Sequence, residues 1–174
     1  MLMTFRQRMQ YLDEVRRKNK DMKHPDGTYM AVTCNRATRA ALDKWSTEHN
    51  IPNPVDPKDF HITIVYSRKG VPELADYEIE LPLKTKIVEW KIFPAGDKKC
   101  LVGVVDSKEL RQHHAKIHSQ YDATYDYDEY IPHVTLSYDY GAAKPPTDLP
   151  DFDIVLDKKK VNPLDPQYTS KKSD

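Results

Sequence analysis

Residues 60–66 read FHITIVY and residues 132–138 read PHVTLSY. Both segments are short, rich in β-branched residues and alternating in polarity, which is the pattern of a strand buried on one side. Each carries a His and a Thr two residues apart: His61 and Thr63 in the first, His133 and Thr135 in the second. Side chains alternate along a strand, so each His–Thr pair shares one face, while Ile62, Ile64, Val134 and Leu136 take the other and form the buried side. One H-x-T says little about function. Two of them, 72 residues apart, indicate an element used twice.

The repeat extends outward from these strands. With the sequence shifted by 72, residues 29–68 lie over 101–140 without a gap. Val32 meets Val104, Arg39 meets Arg111, Lys44 meets Lys116, Asp56 meets Asp128 and Tyr66 meets Tyr138. Asn35 falls on Ser107, and both residue types cap helices. A strand over 28–34 (TYMAVTC) leads to a helix from Asn35 to about His49, with Ala41, Leu42 and Trp45 on its inner side. The loop IPNPVDPKD follows from Ile51. Residues 77–93 hold one or two strands interrupted at Pro82, and 100–105 form another. A second helix opens at Asp106 or Ser107, with Leu110, His114 and Ile117 inward and Asp106/Glu109 at capping-box spacing. The loop YDATYDYDEY (121–130), the strand 131–138 and a last strand over 152–161 complete the set. The order strand, helix, strand, strand thus occurs twice, which predicts an α+β domain in two halves related by an approximate two-fold.

The expected organisation is a helical extension over 1–26, the duplicated domain over 27–161 and a tail over 162–174. The extension reads as an amphipathic helix over 2–20, with Phe5, Met9 and Leu12 on one side and Arg6, Arg16, Arg17 and Lys18 elsewhere. Pro25 and Gly27 end it. Lys+Arg and Asp+Glu are 27 each, giving zero net charge. That argues against a binder of long nucleic acid, which needs a broad basic footprint, and leaves room for a small anionic ligand held by a few local cations. No apolar run reaches the roughly 18 residues of a membrane span, and MLMTFRQRMQ is too charged for a signal peptide. Cys34 and Cys100 make no C-x-x-C and no zinc pattern, as suits a reducing compartment. Five glycines against thirteen prolines exclude the Gly-rich phosphate loops.

If the halves face each other across a cleft, two imidazoles and two hydroxyls meet at one site. That set suffices for phosphodiester cleavage without a metal or cofactor. A neutral His accepts a proton from an attacking hydroxyl, and a protonated His donates one to the leaving oxygen; a pKa near neutrality makes both forms accessible. The Thr hydroxyls can donate to nonbridging phosphate oxygens as charge builds.

Paired H-x-T motifs on a duplicated α/β scaffold resemble the 2H phosphoesterase superfamily. More narrowly, GTYMAV, IPNPV, HITIVYSR and YDATYDYDEYIPHVTLSY resemble the phage anti-CBASS phosphodiesterases, over roughly residues 27–161. The resemblance implies a duplicated bilobal fold with two antiparallel sheets lining a central cleft and helices outside. It implies an enzyme that cleaves 3′–5′ bonds of cyclic di- and trinucleotide messengers in the cytoplasm of an infected bacterium, without metal. His61, Thr63, His133 and Thr135 take the catalytic positions, and Tyr29 takes that of an aromatic stacking on a base. The ligand's own 2′-hydroxyl attacks the adjacent phosphorus, and the resulting 2′,3′-cyclic phosphate is then hydrolysed. The family also holds its ligand with acidic and aromatic residues near the C-terminus. Here that segment reads DKKKVNPLDPQY without a Trp, and Asp157 and Tyr168 stand as candidates.

The remaining features have plainer readings. His114 and His118 stand at i,i+4 without the Glu of a zinc-protease helix, so His113, His114 and His118 read as half-buried helix residues. Asp122, Asp126 and Asp128 lack the Gly and distal Glu of a calcium loop. Tyr66 and Tyr138 should by alternation point away from Thr63 and Thr135, toward packing roles. Arg68 and Lys69 either reach phosphate or are solvated. Trp45 and Trp90 read as core. The run Lys158–Lys160 reads as a solvated edge of which one member can contact ligand. Three alternatives compete with the diesterase: a sponge that binds messengers without cleaving them, a 2H enzyme processing RNA 2′,3′-cyclic phosphates, and a structural protein in which the motifs are incidental. The absent basic groove disfavours the RNA enzyme, and the intact motifs disfavour the others.

Overall fold

The computed structural model describes residues 4–11 and 24–165. In chain order its elements are α1 (residues 5–11), β1 (Thr28–Cys34), α2 (Arg36–Glu48), β2 (His61–Ser67), β3 (Leu83–Thr85), β4 (Ile87–Ala95), β5 (Lys98–Val105), α3 (Lys108–Tyr121), β6 (His133–Ser137) and β7 (Ile154–Pro163). The strands form one sheet in the order β3-β7-β1-β2-β6-β5-β4, antiparallel throughout. The two expected sheets are the wings of this sheet. They join where β2 meets β6, through the single pair Ile62↔Val134.

Both longer helices pack on one face. Leu42 and Trp45 of α2 and Leu110 and Ile117 of α3 share a core with Met30, Val32, Ile62, Ile64, Leu101, Val105, Val134 and Leu136. Each large aliphatic buried there stabilises the fold by about 1.5–3 kcal/mol. Gly103 belongs to this face for want of room: a Cβ would come 2.7 Å from Ile87 Cδ1. The opposite face has only a thin apolar layer of Cys100, Val102 and Val104 with Phe93, Ala95 and Ile131. It is therefore the face left for a ligand.

The repeat is visible in the helix starts. Asn35 Oδ1 accepts from Thr38 N–H at 2.9 Å, and Ser107 Oγ accepts from Leu110 N–H at 3.2 Å; such a cap contributes about 1 kcal/mol. The Asp106/Glu109 box does not form. With Ser107 as the cap, Glu109 stands one position too early, and Asp106 pairs with Arg111 at 2.6 Å.

Residues 77–82 do not form the early strand expected of them. A 3-10 turn over Pro72–Asp76 leads through a cis Leu81–Pro82 bond into β3. The carbonyls of Leu74, Ala75 and Tyr77 accept from Lys159 Nζ at 3.1, 2.7 and 2.6 Å. An ammonium takes the place of a neighbouring strand. Within the predicted 2–20 helix, residues 5–11 are helical. Thr4 and Gln7 cap its start reciprocally, Thr4 N–H to Gln7 Oε1 at 2.9 Å and Gln7 N–H to Thr4 Oγ1 at 3.1 Å. Phe5 and Met9 are exposed; Leu12, Arg16, Arg17 and Lys18 lie outside the described residues. No described helix is long and apolar enough to cross a membrane.

Candidate active site

The strands that carry the two H-x-T motifs are bulged at matching positions. In β2, His61, Ile62 and Thr63 pair with Thr33, Val32 and Ala31, but Met30 pairs with Val65, so Ile64 is an extra residue. In β6, His133 and Thr135 pair with Val104 and Val102, but Leu101 pairs with Ser137, so Leu136 is the extra residue. A bulge resets the alternation of a strand. Ile64 and Val65 are both buried and Tyr66 returns to the face of His61 and Thr63. Leu136 and Ser137 are likewise both buried and Tyr138 is exposed. The expectation that these tyrosines point away from the threonines is overturned, because strict alternation does not survive an inserted residue.

All four motif side chains are half-buried on the ligand face, away from the helices. Antiparallel strands run in opposite directions from Ile62↔Val134. His61 is therefore set toward Thr135, and Thr63 toward His133. The imidazoles are tethered alike, His61 Nδ1 to the Asp59 carbonyl at 2.6 Å and His133 Nδ1 to the Ile131 carbonyl at 2.7 Å. A carbonyl only accepts, so each Nδ1 carries the proton and Nε2 is the nitrogen that exchanges one.

Each imidazole also meets an aromatic edge. The Tyr29 ring lies 6.0 Å from His61 at 79°, and the Phe93 ring lies 5.1 Å from His133 at 83°. Thr63 Oγ1 donates to Tyr29 Oη at 3.4 Å. The structure thus brings Tyr29 to the first motif. Phe93 escaped the sequence reading because it sits on β4, outside the repeat's match to β1. The counterpart of Tyr29 by register is not Leu101. Tyr29 pairs with Tyr66, and the β5–β6 register carries Cys100, not Leu101, toward Tyr138. Leu101 faces the helices and is fully buried.

The loops preceding the two motifs cross over, each holding the other half's strand. Residues 52–55 cover β6: Val55 N–H donates to Leu136 O at 2.8 Å and Ser137 Oγ to Pro52 O at 2.6 Å. Residues 121–130 cover β2. Tyr130 Oη donates to Thr63 O at 2.7 Å, and His114 Nδ1 lies 2.8 Å from Ile64 O. Beyond Ile62 no β6 backbone pairs with β2, so these side chains satisfy the carbonyls on either side of the bulge. Tyr130 stacks on His114 at 4.0 Å and 4°. Burial raises the Tyr130 phenol far above its ordinary pKa and lowers that of His114. Both groups are thus kept neutral.

The other singled-out residues have structural partners. Arg68 holds Asp126 through two contacts of 3.0 and 2.9 Å, and Lys69 Nζ lies 3.4 Å from Asp122. They secure the 121–130 loop. His113 Nδ1 meets Tyr77 Oη at 2.8 Å, and His118 Nδ1 meets the His114 carbonyl at 2.6 Å. Trp45 is buried and stacks on Trp90 at 4.9 Å. Burial pushes the Cys34 thiol up to about 12, so it is inert. Asp157 is exposed and is the unpaired residue of an irregularity between β1 and β7. Tyr168 lies outside the described residues. Among the described residues, no three His, Cys, Asp or Glu side chains converge as a metal-holding group.

The sequence profile of the anti-CBASS protein Acb1 family matches residues 26–171. Anti-CBASS protein Acb1 of Yersinia phage phiR1-RT is 34% identical over 140 residues, covering 80% of this chain and 89% of that one. That of Enterobacteria phage T4 is 34% identical over 139 residues, covering 79% and 88%. Among solved structures, TT0787 of Thermus thermophilus superposes with a TM-score of 0.58 at 18% identity, covering 77% of this chain and 86% of that one. E. coli LigT complexed with NADP+ gives 0.55 at 17%, covering 80% and 95%. The fold is that of the LigT-like 2H phosphoesterases.

Proposed function

This chain belongs to the Acb1 family of anti-CBASS proteins, and from that premise we propose that it is a metal-independent phosphodiesterase. Its substrates are cyclic di- and trinucleotide messengers, which it opens in the cytoplasm of an infected bacterium to blunt CBASS immunity. The observation that carries this reading is the matched pair of imidazoles, each with Nδ1 held by the carbonyl two residues upstream.

The chemistry follows from that tether. The scissile 3′–5′ phosphodiester lies between His61 and His133. Nε2 of one histidine removes the proton from the ribose 2′-hydroxyl, whose oxygen bonds to the adjacent phosphorus. The bond from phosphorus to the 5′-oxygen breaks, and Nε2 of the other histidine protonates that oxygen. Thr63 and Thr135 hydroxyls donate to the nonbridging oxygens. The histidines have now exchanged protonation states. In the reverse sense they activate water against the 2′,3′-cyclic phosphate, leaving a linear product with a terminal phosphate. The orientation of the ligand across the pseudo-two-fold decides which histidine is base first. Tyr29 offers a ring for a base beside His61.

The test is incubation with a panel of cyclic oligonucleotides in EDTA, with products weighed by mass spectrometry. Linear products formed at an undiminished rate are expected. Binding without turnover would make the protein a sponge, and turnover restored only by a divalent ion would remove the metal-free mechanism.

A further inference from the structure

Register carries one feature of β7 into the ligand face. Asn162, Lys160 and Lys158 pair with Tyr29, Ala31 and Thr33, which pair in turn with Tyr66, Thr63 and His61. The intervening Met30, Val32 and Val161 belong to the helix-side core, and Lys159 points that way too, to its three carbonyls. Lys158 and Lys160 therefore lie on the His61 face, two strand spacings or about 10 Å from the motif backbone, a gap that a four-carbon stem narrows. Among the described residues neither ammonium has a carboxylate within ion-pair distance. On the opposite wing, β4 offers Phe93 and Lys91, and Lys91 is paired with Glu89 at 3.6 Å. Among the described residues the opposite wing also carries Lys98 on this face without an ion pair, but it stands at the far end of β5, four residues from the Val102 that pairs with Thr135, whereas Lys158 and Lys160 are level with His61 and Thr63.

We infer that Lys158 and Lys160 form a subsite for the second, uncleaved phosphate of a cyclic oligonucleotide. This assignment rests on the diesterase reading above. The scissile phosphate sits between the histidines, the neighbouring nucleoside crosses β1 over Ala31 and Tyr29, and the next phosphate reaches the two ammonium groups. Such a site favours ligands whose phosphates are joined in one ring over a diester that carries a single phosphate.

Edge lysines also guard an unpaired strand against aggregation, so the test separates the two roles. Lys158→Gln/Lys160→Gln is compared with wild type for turnover of a cyclic dinucleotide at several salt concentrations, with sedimentation to follow aggregation. The subsite predicts KM raised about ten- to a hundredfold, kcat within about twofold, and a shallower salt dependence of KM. An unchanged KM, with or without aggregation, overturns the subsite while wild-type turnover keeps the diesterase reading. Wild-type protein that cleaves no cyclic oligonucleotide overturns both.

Discussion

His61 and His133 are held by the same contact, Nδ1 against the carbonyl oxygen two residues upstream, at 2.6 and 2.7 Å. The tether fixes ring orientation and tautomer together, so neither histidine is marked as acid or base by its own backbone. A site of this kind can run a step in one sense and the next in reverse, as a two-step cleavage through a cyclic phosphate requires.

Replacing either histidine by Ala should therefore cost turnover and not binding. Each proton-transfer role contributes typically 10²–10⁴-fold. The two roles serve one transition state, so the double variant should be little worse than either single. Single-turnover rates on a cyclic dinucleotide check this, and near wild-type rates in either single variant would remove that histidine from the mechanism.

Tyr29→Ala should weaken ligand binding about tenfold to a hundredfold, since base–aromatic stacking is worth roughly 1–3 kcal/mol. Tyr29→Phe should keep most of the affinity. The Tyr29→Phe change gives up a long 3.4 Å contact with Thr63, while the ring remains. Titration of a His133→Ala background alongside a melting curve separates stacking from packing. Unchanged affinity with a large fall in Tm would make Tyr29 an ordinary packing residue.

The helix caps, the strands outside residues 77–82 and the H-x-T faces were legible because each depends on residue type at short spacing. Asn35 and Ser107 cap as the 72-residue shift predicts. The bulges were not legible: Ile64 and Leu136 are ordinary strand residues, and only the partner strand's register makes them extra. That one inserted residue decides where Tyr66 and Tyr138 point. Tyr130 and His114 were equally silent, because their role exists only where β2 and β6 part and carbonyls need donors. Lys159 differs from Lys158 and Lys160 only by the face it occupies, which a homopolymeric run conceals.

Tyr130→Phe should destabilise the fold and misplace the first motif. It leaves the Thr63 carbonyl without its 2.7 Å donor. A buried polar group so orphaned costs about 1–3 kcal/mol, which lowers Tm by roughly 2–12 °C in a chain of this size. Tyr127, 71% exposed, is the control, and Tyr127→Phe should change stability by no more than about 0.5 kcal/mol. Thermal melts and kcat on a cyclic dinucleotide test both. Equal stability and rate in the two variants would show that Tyr130 does not pin the bulge.

The pH dependence of stability should carry the mark of His114. Burial chiefly, and the neighbouring His118, lower its pKa in the fold, against an opposing contribution from the Ile64 carbonyl. Tyr125 and Tyr130 face it from the loop, and both phenols stay protonated, Tyr125 being pushed up to about 12. With the folded pKa below the unfolded value near 6.5, the unfolded chain binds the proton first as pH falls. Stability is then fully present above about 6.5 and declines as pH drops toward the folded value. His113, lowered by burial and Lys116, acts in the same sense. His49, raised mainly by its hydrogen bond to Asp148, acts oppositely, losing its contribution as pH rises through its folded pKa. That pair is at the surface, so salt screens it. At high salt, Tm should fall between about pH 7 and 5, and the fall should be smaller in His114→Asn, which offers Ile64 an amide donor without a titrating ring. Superimposable Tm–pH curves for wild type and variant would show that His114 does not couple protonation to the fold.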